Sequence, residues 1–140
     1  MQTRLTKLLG IDFPILQGPM AWISDARMAA AVSEAGGAGI IAGGGRDGAW
    51  LRGEIRLAKT LTAKPFGVNV PLLSPNKDEL IAERLGKVPF VTLSAGNPVP
   101  YFAAFREAGI KKIAVVPNAR LAQRVEASGA DAIVVEGMEA

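Results

Sequence analysis

Short, almost unbroken apolar runs alternate along this chain with longer stretches in which apolar residues recur every three or four positions. Six such runs stand out: Pro14-Ile15-Leu16-Gln17, Ala38-Gly39-Ile40-Ile41-Ala42, Phe66-Gly67-Val68-Asn69-Val70, Phe90-Val91-Thr92-Leu93, Ile113-Ala114-Val115-Val116 and Ala132-Ile133-Val134-Val135. Strands covered on both faces read this way, as in parallel sheets, whereas half-solvated strands alternate. The intervening stretches have helical spacing. Met28, Ala31, Val32 and Ala35 form one apolar stripe, and Leu51, Ile55 and Ala58 a second. Phe102, Phe105 and Ala108 form a third, and Leu121, Ala122 and Val125 a fourth. A fifth helix is expected after Ser74-Pro75, where a capping hydroxyl precedes a first-turn proline. Ser24, Asp47, Asn97-Pro98 and Asn118 are the other expected caps. Gly36, Gly109 and Gly129 end helices, because glycine tolerates the left-handed backbone that closes a helix.

The result is an α/β chain of about six parallel strands and five helices, repeating roughly every 25 residues with right-handed crossovers. Two architectures fit. A doubly wound open sheet would be complete at 140 residues. A closed (β/α)₈ TIM barrel usually needs roughly 250 residues, so it would lack its last two units. Composition narrows the chemistry. Net charge is +3, and the basic residues are scattered, so nothing calls for a nucleic-acid partner. With no Cys and no His, disulfides, thiolate chemistry and imidazole catalysis are all excluded within this sequence. No metal-ligand spacing is present. No apolar run approaches the ~18 residues of a membrane span, and no signal peptide is visible, so a cytoplasmic protein is expected.

In either architecture ligands gather beyond the C-terminal ends of the strands. The residues there are Gln17-Gly18-Pro19-Met20-Ala21-Trp22, Gly43-Gly44-Gly45, Asn69 with Pro71, Ser94-Ala95-Gly96-Asn97-Pro98, Pro117-Asn118 and Glu136-Gly137. Small and glycine-rich ends let a flat ligand approach the backbone, whose amides can then bond its edge. Tight βα turns also favour glycine, so the glycines alone decide little. Gly43-Gly44-Gly45 lacks the Gly-Lys-Ser/Thr of a phosphate loop. Asn69 is more informative: a buried amide within an apolar strand needs partners, from the core or from a ligand. Glu136, directly after an apolar strand, is either a structural carboxylate or a site residue. Read alone, these features point to a cofactor or small-ligand binder.

Longer motifs sharpen this. Pro14-Ile15-Leu16-Gln17-Gly18-Pro19-Met20-Ala21-Trp22, Ala31 through Gly39, and Lys64-Pro65-Phe66-Gly67-Val68-Asn69 resemble the nitronate monooxygenase superfamily. Leu72-Leu73-Ser74-Pro75, Ala95-Gly96-Asn97-Pro98, Val115-Val116-Pro117 and Gly129 through Ala140 resemble its FMN-dependent enoyl-acyl-carrier-protein reductase branch, enoyl reductase II. The resemblance implies an incomplete (β/α)₈ barrel over residues 1–140, with strands 7 and 8 and their phosphate-gripping loops absent. It implies FMN as cofactor, NADH or NADPH as co-substrate, an acyl-carrier-protein-linked enoyl thioester as substrate, and a homodimer. Gly18, Pro19, Met20 and Ala21 would lie against the flavin ring, Asn69 would hydrogen-bond it, and Glu136 would sit beneath it. No catalytic residue is carried over, because the family's histidine would follow Ala140. Pro19 departs from the branch's usual glycine and offers no amide hydrogen. Pro71 is a smaller departure. The rival expectations are a nitronate monooxygenase on the same scaffold and a non-catalytic partial barrel.

Overall fold

The structure, a computed structural model, describes residues 2–82 and 88–137. Met138–Ala140, the end of the branch motif, lie outside the described residues. Five parallel strands form one sheet in sequence order: β1 (Gly39–Ala42), β2 (Phe66–Pro71), β3 (Phe90–Ser94), β4 (Lys111–Val116) and β5 (Ala132–Val135). Around them run α1 (Arg4–Leu9), α2 (Ala26–Glu34), α3 (Gly48–Leu61), α4 (Lys77–Ala82), α5 (Phe102–Glu107) and α6 (Ala119–Ala127). Sequential order without reversal is the winding of a (β/α)₈ barrel rather than of a doubly wound sheet, whose strand order switches direction.

The strands carry two kinds of position. Ile41, Val68, Val70, Val91, Leu93 and Ala114 point outward into the main core, against α2, α3, α5 and α6. Ile40, Phe90 and Ile113 point inward, where they meet Leu9, Ile11 and Ala38. Helix α1 closes this inner cluster with Leu5 and Leu8 and was not foreseen from the pattern. It is only six residues long, but a reciprocal Thr3–Thr6 capping box starts it and Gly10, at φ 70°, ends it. Phe90 fills the barrel floor because Gly67 beside it has no side chain: a Cβ there would overlap the Phe90 ring.

Several expectations need correction, the caps expected of Ser74 and Asn97-Pro98 among them, since Ser74 bonds Asn76 and α5 starts after Tyr101 without a side-chain cap. The run Pro14–Gln17 joins the sheet through a single bridge, Leu16 to Ala38. Pairing stops because the main chain turns away at Gly18-Pro19. The next ladder bond, from the Ile40 N–H, goes instead to the side-chain carbonyl of Gln17 at 3.2 Å. The buried face of α2 is Ala26, Ala29, Ala30 and Ser33, not the stripe led by Met28. Helix and strand approach so closely that only small residues fit between them. A Cβ on Gly39 would overlap the Ala29 carbonyl oxygen and lie 2.6 Å from the Ala29 Cα. The cap of α2 is Asp25, whose side chain accepts from Met28 N, and not Ser24. Asp47 and Asn118 cap α3 and α6 as expected, and Gly36, Gly109 and Gly129 all have positive φ. Ser74 spends its hydroxyl on Asn76. A 3₁₀ turn, Val99–Tyr101, precedes α5.

Candidate functional site

The C-terminal ends of the strands open onto one cleft of about 1040 Å³. All six residues singled out from the sequence, Gly18, Pro19, Met20, Ala21, Asn69 and Glu136, line it. Inward-facing Ile40, Ala42, Thr92, Ser94, Val115 and Val134 supply the rest of its inner wall. The cleft is therefore the upper continuation of the barrel interior, with Phe90 and α1 beneath.

Asn69 is 4% exposed and sits level with Ala42 and Thr92 in the sheet register. Its Nδ2 donates to Thr92 Oγ1 at 3.0 Å, to Ser94 Oγ at 3.1 Å and to the Thr92 carbonyl at 3.3 Å. A carbonyl can only accept, so this contact fixes which end of the amide faces the sheet. Oδ1 is left without a hydrogen-bond partner among the described residues, on a residue that lines the cleft. A sheltered acceptor of this kind favours a ligand that brings a donor.

The Gly18–Ala21 wall is fastened by Gln17 and Ser24, to which the sequence assigned a strand end and a helix cap but not this role. Ser24 is 2% exposed, and its Oγ accepts from Met20 N at 2.9 Å and from Gln17 Nε2 at 2.7 Å. Gln17 Nε2 also donates to the Gly18 carbonyl at 2.7 Å. The Ser24 carbonyl accepts from Ala42 N at the end of β1, 2.9 Å away. The wall thus hangs from β1 through Gln17 and Ser24. A serine just before a helix reads as a cap, and nothing in the sequence announces this second use.

Beyond Ala21 the chain makes a turn closed by Ile23 N to Met20 O at 3.1 Å. Trp22 holds its third position at φ 69°, where glycine is usual. A non-glycine residue there costs about 1 kcal/mol. The Arg46 guanidinium carbon lies 4.2 Å from the Trp22 ring centroid and 4.6 Å from that of Trp50.

Glu136 is exposed at the end of β5, and its N–H donates to the Val116 carbonyl at 3.0 Å. It is the one carboxylate on the cleft wall among the described residues, and Arg124 of α6 is the one cation. No group of His, Cys, Asp and Glu able to hold a metal ion occurs among the described residues. No helix there is long and apolar enough to cross a membrane.

A largely buried charged pair lies at the opposite end of the strands. Lys112 Nζ and Asp131 Oδ2 are 2.6 Å apart. Asp131 Oδ2 also accepts from Lys112 N at 2.8 Å, and Asp131 N donates to the Lys112 carbonyl at 2.8 Å. Burial works against the Asp131 charge, but the Lys112 hydrogen bonds and the charges of Lys112 and Lys111 outweigh it. The carboxyl is held below its ordinary value. In a (β/α)₈ barrel the ligand site lies at the other, C-terminal face, so this pair is read as structural.

Parallel strands that deliver a sheltered amide, a glycine-rich rim and an apolar wall to one mouth define a ligand-binding section of a (β/α)₈ barrel. The chain belongs to the nitronate monooxygenase family, whose sequence model matches residues 2–89. It is similar to FabK from Thermotoga maritima, at 49% identity and a TM-score of 0.96, over 99% of this chain and 45% of that one. The nitroalkane oxidase from Streptomyces ansochromogenes matches at 31% identity and a TM-score of 0.86, over 99% of this chain and 49% of that one. The (3aS,4S,5R,7aS)-5-hydroxy-7a-methyl-1-oxo-octahydro-1H-indene-4-carboxyl-CoA dehydrogenase of Rhodococcus jostii is 33% identical over 99% of this chain and 40% of its own. The chain thus spans about half, or less, of the length of each of these relatives.

Proposed function

We propose that residues 1–140 are the N-terminal portion of an FMN-dependent oxidoreductase that uses NADH or NADPH to reduce enoyl thioesters carried on acyl-carrier protein in the bacterial cytoplasm. The observation that carries this reading is the cleft's pairing of an open amide acceptor, Asn69 Oδ1, with a broad apolar wall. A flat heterocycle needs both: apolar surface for its faces and polar partners for its edge. Met20, Val115 and Val134 offer the surface, while Gly18, Gly44 and Gly96 leave the backbone approachable. These residues fit an isoalloxazine ring.

The bound flavin would supply hydride transfer from nicotinamide to the thioester's β-carbon. The chain's own residues position and shelter. Asn69 would take a ring N–H, Gly18–Ala21 would cover a ring face, and the apolar wall would keep water off the reacting carbon. Pro19 contributes shape and no hydrogen bond. Glu136 would set the charge beneath the ring. Arg124, the one lining cation among the described residues, would face the FMN phosphate, and the family resemblance implies that strands 7 and 8 with their loops would supply the rest of its anchor.

The choice of enoyl thioester rests on the 49% identity to FabK, against 31% to the nitroalkane oxidase. A thioester named in the Rhodococcus relative agrees with that substrate chemistry. The family match over residues 2–89 favours a second reading, oxidation of alkyl nitronates with O₂. The test is NADH consumption by the FMN-loaded full-length parent, of which residues 1–140 are expected to have no turnover by themselves, with crotonyl thioester, beside turnover of propionate-3-nitronate. Thioester-dependent NADH consumption is expected. Nitronate turnover alone would put the second reading in its place, and turnover of neither would leave a binding module.

A further inference from the structure

We infer that Arg46 is a positioning residue for the cleft, acting through Trp22 rather than on the ligand. Four observations converge on this. Trp22 directly follows Ala21 and so continues the Gly18–Ala21 wall, yet the residue is 66% exposed and its backbone is in the left-handed region. A large apolar side chain in that state stays put only if something holds its ring. Arg46 supplies the hold, with its guanidinium between the Trp22 and Trp50 rings. Its Nε is buried without a hydrogen-bond partner, and no carboxylate pairs with it among the described residues. The nearby carboxylates are committed elsewhere: Asp47 accepts from Trp50 N at 2.7 Å and Glu79 from Gly48 N at 2.9 Å. Stacking is therefore what this guanidinium does.

The surroundings are built for it. Gly45, at φ 74°, lies so near that a Cβ would fall 2.8 Å from the Trp22 ring. Asn76 donates its side-chain amide to the Arg46 carbonyl and fixes the backbone from the side of α4. Trp50 is anchored in α3, so the stack ties the free tip of the wall to a rigid helix. Ser24 and Gln17 hold the root of the same wall, and Arg46 holds its tip.

The chain has two tryptophans, and both are in this stack. Trp50→Phe keeps an aromatic ring under Arg46 and leaves Trp22 as the sole reporter. In that background, the time-resolved anisotropy of ligand-free Trp22 should lose much of its slow component in Arg46→Met and keep most of it in Arg46→Lys. A second arm rests on the flavin reading above. FMN affinity should fall about fivefold in Arg46→Met, by a similar factor in Trp22→Ala, and no further in the double variant. Unchanged Trp22 anisotropy in Arg46→Met would overturn the inference. So would an Arg46→Met loss of FMN affinity that persists in full once Trp22 is gone, since Arg46 would then touch the ligand itself. If the parent protein takes up no FMN, the flavin reading falls alone, and the anisotropy arm still decides the role of Arg46.

Discussion

Adding one methyl group to two different glycines should move stability in opposite directions. Gly39 lies where β1 meets α2. A Cβ there would overlap the Ala29 carbonyl oxygen and come within 2.6 Å of its Cα. Carbon atoms in contact prefer about 3.5–4.0 Å, so α2 must withdraw by roughly 1 Å. The obstacle is backbone and has no rotamer to change. Overpacking against side chains costs about 1–3 kcal/mol, and Gly39→Ala belongs at or above the top of that range, near 3 kcal/mol. Gly53, on the exposed face of α3, has nothing within 4 Å of its Cβ position. Gly53→Ala should add about 0.5–1 kcal/mol through helix propensity alone. Urea unfolding followed by far-ultraviolet circular dichroism measures both. With a slope of roughly 2 kcal/mol/M, the Gly39→Ala midpoint should fall by about 1.5 M. A Gly39→Ala variant as stable as the parent would refute the close packing of α2 on β1. Because Ser24 lies at the start of α2 and holds Met20, the same variant should also disturb the cleft.

Phe90→Ala empties the barrel floor from a side chain with no exposure and should cost about 3–5 kcal/mol in the same unfolding assay. Asn69→Ala removes the donor shared by Thr92 and Ser94, whose hydroxyls can turn to other partners. It should cost only about 1 kcal/mol of stability while weakening FMN uptake, read by flavin fluorescence titration, by about tenfold or more. Asp131 gives a pH signature. Its folded carboxyl titrates below the ordinary 3.8, so the stability it adds is present above that value and is lost as pH falls through the folded one. Asp131→Asn leaves the buried Lys112 ammonium without its counter-charge and should be less stable than the parent at neutral pH. That gap should close in acid denaturation below the ordinary carboxylate value.

The sequence displayed the inward site more clearly than the elements that carry it. Asn69 stood out because an amide within an apolar strand is costly unless engaged, and it is engaged. Gly18 through Ala21 and Glu136 were singled out by their place after apolar runs together with the family resemblance, and the barrel gathers those strand ends around the cleft. The first strand was overstated, since a periodic pattern does not reveal that a glutamine side chain will take over a ladder bond. Helix α1 went unseen because Thr3 and Thr6 form the box with two threonines, without the glutamate or glutamine that usually marks it. The face of α2 was misjudged for a related reason. Hydropathy favours Met28 and Val32, but the neighbouring Gly39 makes the interface too narrow for anything larger than alanine or serine. The Arg46 stack was invisible, because its members lie 24 and four residues from Arg46 along the chain and meet only after folding.

Alternation along the strands separates two tasks that many proteins must balance on the same residues. Val68, Val70, Val91, Leu93 and Ala114 keep the helices attached, while Asn69, Thr92, Ser94 and Val115 face the cleft. Substitutions in the second column can retune what the mouth accepts without loosening the first. A lineage is then free to trade one substrate for another while its scaffold stands still, and relatives with different chemistries can share one backbone.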